Sequence, residues 1–212
     1  MTRLAVIDYG MGNRRSVQKA LEHVGAETEI TRDRDELRAA DGLVLPGVGA
    51  FPQGMRNLRE LGLAELIQDR VAQGVPLLGI CLGMQLLFDS SEEMGGAAGL
   101  RLIPGEVKRL NAGGLRMPHI GWNEVRLERA SPLTAELPEA GCPFYHVHSF
   151  AAWPDDPDAV IGTTEYGKRF VTMVNRDAVF GVQFHPEKSS RHGLLMLEGF
   201  VRVCASLVGA SA

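Results

Sequence analysis

Cysteine is scarce in this 212-residue sequence: Cys81, Cys142 and Cys204 are an odd number at wide, irregular spacing. That excludes a disulfide framework, offers no paired-cysteine zinc motif, and points to a reducing, cytoplasmic compartment. Excess charge of either sign is also missing. Twenty-two basic side chains face 26 acidic ones, for a net of −4, which is no electrostatic footprint for nucleic acid or an anionic membrane. The most apolar stretch, Val75 to Phe88, is interrupted by Gly79, Gly83 and Gln85 and falls short of the roughly 20 residues a membrane span needs. The N-terminus reaches Asp8 after only a few apolar residues, so neither a signal peptide nor export is expected. Two early glycine loops, Gly10-Met11-Gly12-Asn13 and Gly47-Val48-Gly49, stop before a third glycine at dinucleotide spacing, and no cofactor is expected.

What is present is an ordinary globular composition, 45% hydrophobic and 23% charged, without an internal repeat or linker. One domain over 1–212 is expected. Leu4 to Ile7 reads as a strand, Ser16 to Val24 as a helix, Glu27 to Thr31 and Gly42 to Leu45 as strands. Leu58 to Ala72 reads as one or two helices broken near Gly62, and Pro76 to Gly79 as a buried strand. Short apolar runs without alternation, separated by helical stretches, predict an open α/β fold with a mostly parallel sheet covered by helices on both faces. After about Gly95 the runs become short and alternating: Glu106 to Leu110, Asn123 to Leu127, Phe144 to His148, Ala159 to Thr164, Phe170 to Val174 and Ala178 to Phe184. These predict an antiparallel β extension of the same sheet. Gly193 to Val208 is expected to close the chain as a helix, with Leu194, Leu195, Leu197, Val201, Cys204 and Leu207 on or near one face.

The densest chemical signal is the strand–turn–helix run Val75 to Phe88, in which Gly79-Ile80-Cys81-Leu82-Gly83 has the form of a nucleophile elbow with cysteine in place of serine. The glycines let the chain turn sharply enough to expose the nucleophile. The helix N-terminus behind it favours the thiolate. Taken alone, the same residues also fit a buried core cysteine between packing glycines. A second run, Phe180 to Ser190, ends a strand at His185 and places Glu187 two residues on, beyond Pro186. A cysteine nucleophile needs a base, and the base needs a third group to fix its tautomer, so Cys81, His185 and Glu187 form a candidate triad. His146-x-His148 has the spacing of a metal pair on one strand face, but no acidic or thiolate ligand is evident beside it, and no metal is expected.

These residues give the chain its resemblance to the class I, triad-type glutamine amidotransferases. Four segments make it most similar to the glutaminase subunits of imidazole glycerol phosphate synthases: Asp8 to Asn13, Cys81 to Gln85, Pro118-His119-Ile120-Gly121-Trp122-Asn123, and His185 to Ser190. Arg14 departs from the apolar residue often found there, which touches local loop packing only. The resemblance implies that Cys81 attacks the side-chain amide of L-glutamine, His185 carries the proton to ammonia, and Glu187 orients His185. It implies an oxyanion hole from the Leu82 N–H and a donor at Val48 or Gly49, where a peptide flip would complete it. It also implies that Gln85 and Glu93 hold the amino-acid head, with backbone from Gly49 and the His148-Ser149-Phe150 segment. Glu93 fits equally well as a surface acid. The implied partner is a separate (β/α)₈-barrel cyclase subunit that consumes the ammonia, with Trp122, Asn123, Tyr145 and Lys188 near the interface; Trp122 also fits a core position. Amidotransfer to another synthase and a stand-alone cysteine hydrolase remain open. So does a flavodoxin-like redox sensor, which leaves His185 and Glu187 unexplained.

Overall fold

The computed structural model of the chain describes residues 1–210. Its first half alternates strand and helix: β1 (Arg3–Ile7), α1 (Arg14–His23), β2 (Glu27–Thr31), α2 (Arg34–Ala39), β3 (Gly42–Gly47), α3 (Phe51–Glu60), α4 (Leu63–Ala72), β4 (Leu77–Cys81) and α5 (Leu82–Leu86). The second half is β-rich: β5 (Phe88–Ser91), β6 (Ala97–Ala98), β7 (Ile103–Arg109), β8 (His119–Leu127), β9 (Cys142–His148), β10 (Phe150–Pro154), β11 (Val160–Tyr166), β12 (Lys168–Arg176) and β13 (Val179–Val182). The helix α6 (Ser190–Ala210) closes it.

All the strands join one sheet. Its first block, in the order β2-β1-β3-β4-β13, is parallel throughout. Beyond it β12 pairs antiparallel with β13, and the sheet then divides. One arm continues through β10, β7, β5 and β6, the other through β11, β8 and β9. The α/β class is the one expected, and the extension beyond β13, antiparallel except where β5 pairs parallel with β7, carries more strands than the parallel block.

The continuous apolar runs of the parallel strands follow from burial on both faces. Along β1, Ala5 and Ile7 enter a core shared with α2, α3, α4 and α5, whereas Leu4 and Val6 enter another shared with α1 and α6. The strand period of two repeats this division in β3, with Leu43 and Leu45 on one side and Val44 on the other. The final helix packs through Met196, Leu197, Phe200 and Cys204, while Leu207 is largely exposed and Leu194 only half-buried. The buried face keeps Leu195, Leu197, Val201 and Cys204 of the expected one and adds Met196 and Phe200, because steps of three and four run from Gly193 through Met196, Leu197 and Phe200 to Cys204.

Candidate active site

The strand β4 hands the chain to α5 at Cys81, whose backbone has φ 56° and ψ −111°. A non-glycine residue held there costs on the order of 1–3 kcal/mol, which the surroundings must offset. Both flanking glycines are required by contact. A Cβ on Gly79 would lie 2.7 Å from the Gly83 carbonyl oxygen, and one on Gly83 would collide with the Leu45 carbonyl of the neighbouring strand. The elbow thus packs its helix directly onto the sheet and presents the thiol at the C-terminal ends of β3, β4 and β13.

β13, the parallel neighbour of β4 in the sheet, delivers His185. The strand ends at Val182, so Gln183 and Phe184 make a bend before His185 rather than continuing the strand to it. Three bonds fix the backbone there: the His185 N–H donates to Tyr145 O at 2.9 Å, the Ser189 hydroxyl donates to His185 O at 2.7 Å, and the Tyr145 N–H donates to Ser189 Oγ at 3.0 Å. Pro186 to Lys188 is a single 3₁₀ turn that swings Glu187 back beneath the imidazole. Nδ1 of His185 lies 2.9 Å from Glu187 Oε1, with side-chain exposures of 4% and 1%. The other carboxylate oxygen of Glu187 is buried without a partner. Burial alone would push the imidazole pKa down. Its hydrogen bonds to Cys81 and Glu187, with the charges of both, outweigh this and raise it to about 10. With Nδ1 committed to Glu187, Nε2 is the nitrogen left to exchange a proton at the sulfur.

The thiol has two further neighbours, the Val147 carbonyl at 3.7 Å and the Gln183 amide Nε2 at 3.8 Å. Gln183 is fully buried, and its Oε1 accepts from Gln85 Nε2 at 3.0 Å. Gln85 also donates to Phe150 O at 3.0 Å. Its amide N–H groups are thereby engaged beneath the site. Sequence reasoning singled out Gln85 and overlooked Gln183, although a lone amide inside the apolar run Phe180 to Phe184 is itself a signal of a buried polar partner.

The loop from Gly47 to Ala50 faces the elbow across the β3–β4 pairing, where Gly47 is opposite Cys81. Val48 is substantially exposed, and Gly49 has φ +113°, a conformation glycine tolerates best. Glu93 sits at the far end of this loop. Its Oε2 accepts the Phe51 N–H at 2.8 Å and so caps α3, whose own N-cap residue Ala50 has no capping side chain. The segment Val147 to Phe150 runs beside the thiol, with the Ser149 and Phe150 carbonyls already taken by Leu110 N–H and Gln85.

His148 is buried and points into a chain of neutral histidines. Its Nδ1 lies 2.8 Å from Phe150 O, so it donates there and leaves Nε2 to accept from His119 Nδ1 at 3.0 Å. His119 Nε2 then accepts from Asn123 Nδ2 at 3.3 Å. Burial lowers the pKa of His119 to about 4 and of His148 to about 3. His146 is likewise lowered by burial, with its nitrogens on Phe144 O and the Thr172 hydroxyl. Among the described residues no cluster of His, Cys, Asp or Glu has the geometry to hold a metal ion.

Of the four residues expected at a partner surface, Trp122 and Tyr145 pair across β8 and β9 and touch edge to face, and Lys188 lies 6.0 Å from the Tyr145 ring centre. Trp122 is about half exposed, with Ile120 beside it on the same strand face. Asn123 points to the opposite face. Its amide donates to Glu165 O at 2.9 Å and joins the histidine chain, so the structure does not bring it to the Trp122 surface.

The family model for class I glutamine amidotransferases matches residues 5–203. The imidazole glycerol phosphate synthase subunit HisH of Moorella thermoacetica is 54% identical over 200 residues, covering 94% of each chain. The protein of that name from Bacillus cereus is 48% identical over 198 residues, covering 93% of each. The one from Geobacillus thermodenitrificans is 48% identical over 208 residues, covering 96% of this chain and 97% of its own. Among solved structures, PurLQS from Thermotoga maritima aligns with a TM-score of 0.76 at 22% identity, covering 95% of this chain and 98% of that one. A solved glutamine amidotransferase aligns with a TM-score of 0.75 at 20% identity, again covering 95% and 98%. At these identities the structural likeness concerns the fold.

Proposed function

This chain belongs to the class I glutamine amidotransferases, and from that premise we propose that it works as the glutaminase subunit of an imidazole glycerol phosphate synthase, as one domain, in the cytoplasm. The observation that carries the chemistry is His185 held between buried Glu187 and Cys81 at a strained elbow.

Cys81 Sγ adds to the side-chain amide carbon of L-glutamine. The resulting oxyanion takes a hydrogen bond from the Leu82 N–H and a second from the Val48–Gly49 loop, donors aimed at charge that exists only after addition. His185 Nε2 gives its proton to the departing nitrogen, ammonia leaves, and a glutamyl thioester remains on Cys81. Water then adds with His185 as base, releasing glutamate and the thiolate. Glu187 keeps the imidazole in the Nδ1–H tautomer and supports its positive form. The ammonia passes to a separate (β/α)₈-barrel cyclase subunit, docked at the face bearing Trp122, Tyr145 and Lys188. Gln85 supports the glutamine pocket from below through Gln183 and Phe150. Glu93 acts at the pocket rim, where its capping bond to Phe51 anchors the loop.

The test is to reconstitute the chain with a cyclase subunit and follow both nitrogen sources. Cys81→Ala is expected to abolish synthesis from glutamine while leaving synthesis from added ammonium at the wild-type rate. Glutamine-dependent synthesis persisting in the variant complex would sink the nucleophile assignment.

A further inference from the structure

Tyr9 follows β1 and is 1% exposed, packed in the core that also holds Phe51, Leu82 and Met84. Its phenol oxygen is buried without a hydrogen-bond partner. A buried hydroxyl left unpaired costs about 1–3 kcal/mol, and a buried tyrosine usually finds an acceptor. The position of this one is informative. A Cβ on Gly47 would run into the Tyr9 oxygen and would also lie 2.8 Å from Leu82 Cβ and 3.0 Å from the Gly83 nitrogen. The hydroxyl therefore sits under Gly47, at the seam between the oxyanion loop and the nucleophile elbow. Burial, and then the charge of Cys81, raise the phenol pKa, so it stays protonated and remains a donor.

A peptide is planar, with its N–H and C=O pointing opposite ways. If the loop turns an N–H toward the oxyanion, the carbonyl of the same peptide turns toward the core, where it needs a donor. We propose that Tyr9 is a positioning residue whose hydroxyl is held for that carbonyl, in the Gly47-Val48-Gly49 segment. Two groups that are each unsatisfied alone become partners when the hole is complete, and Tyr9 thereby stabilises the working form of the loop without touching glutamine. The inference rests on the glutaminase reading above.

Tyr9→Phe keeps the ring and removes only the oxygen. In the complex with a cyclase subunit and its nucleotide ligand, kcat for glutamine hydrolysis is expected to fall roughly tenfold, the worth of one buried hydrogen bond, with KM for glutamine unchanged. The thermal midpoint of the isolated variant is expected to match or exceed wild type, because the resting fold loses no bond. A variant kcat equal to wild type overturns the inference. So does a raised KM at full kcat, or a midpoint lowered by several degrees, which would mean that the hydroxyl is already bonded. If the wild-type complex itself hydrolyses no glutamine, the glutaminase reading fails and the inference with it. If wild type is active and the variant equals it, only the inference fails.

Discussion

His185 and the histidines behind it are pulled in opposite directions, and the contrast has a measurable consequence. An unfolded histidine titrates near 6.5. His185, raised to about 10, contributes stability that is fully present below about 6.5 and is lost as the pH climbs toward 10. His119 and His148, lowered to about 4 and about 3, act on the other side. As the pH falls below 6.5 the unfolded chain takes up protons that these two refuse, so their contribution is lost on acidification. Stability measured by denaturant midpoints across pH 4 to 10 is expected to peak near neutrality, and His185→Ala is expected to flatten the alkaline limb. An alkaline limb unchanged in that variant would show that His185 is not held as a cation. At this scale the sequence exposed Cys81, His185 and Glu187, because each stands in a short run whose neighbours explain it. It concealed Tyr9 and Gln183, whose neighbours Gly47 and Cys81 lie on strands 38 residues or more away along the chain. It also suggested a substrate role for Glu93 and a surface role for Asn123, and only tertiary structure reveals the Phe51 N–H and the His119 ring that these side chains meet.

Among the elements, the elbow joining β4 to α5 depends most on a single atom's absence. A methyl group on Gly83 would overlap the Leu45 carbonyl of β3, and backbone of a central strand cannot step aside as a side chain end can. Gly83→Ala is expected to lower stability by about 1–3 kcal/mol, the usual cost of overpacking, and to displace Cys81, so that glutaminase activity falls far more than stability does. Unfolding in urea together with a turnover assay checks this, and a variant of wild-type activity would contradict the packing argument. The elements that sequence pattern missed have identifiable reasons. The short helix α2 is announced only by its N-cap, Asp33, whose carboxylate accepts from the Asp35 and Glu36 N–H groups. The beginning of α3 at Phe51 escaped because its cap, Glu93, is 42 residues distant. In β5 and β10 the runs are four and five residues long and merge into their neighbours, leaving no period to detect.

For the whole molecule, the decisive feature is the division of the sheet beyond β12. The parallel block alone carries Cys81 and the Gly47 to Ala50 loop opposite it. The arm ending in β9 crosses back so that Tyr145 fixes the His185 backbone and Val147 meets the thiol. The same strand pairs with β8 to expose Trp122 beside Tyr145 and Lys188. A partner resting on that face would bear on strands that reach His185 within one hydrogen bond. The parallel block was legible in the sequence as uninterrupted apolar runs, and the alternating strands after Gly95 were legible as β structure. Their arrangement in two arms was not, because strand order depends on pairings that no local pattern records. The measurement that tests the account most directly is glutamate release by the isolated chain, by its complex with a cyclase subunit, and by that complex with the nucleotide ligand. Completing an oxyanion hole by one donor predicts stimulation of roughly 100- to 1,000-fold in the liganded complex over the isolated chain. An isolated chain already working at the stimulated rate would contradict a gated subunit and identify an independent hydrolase instead.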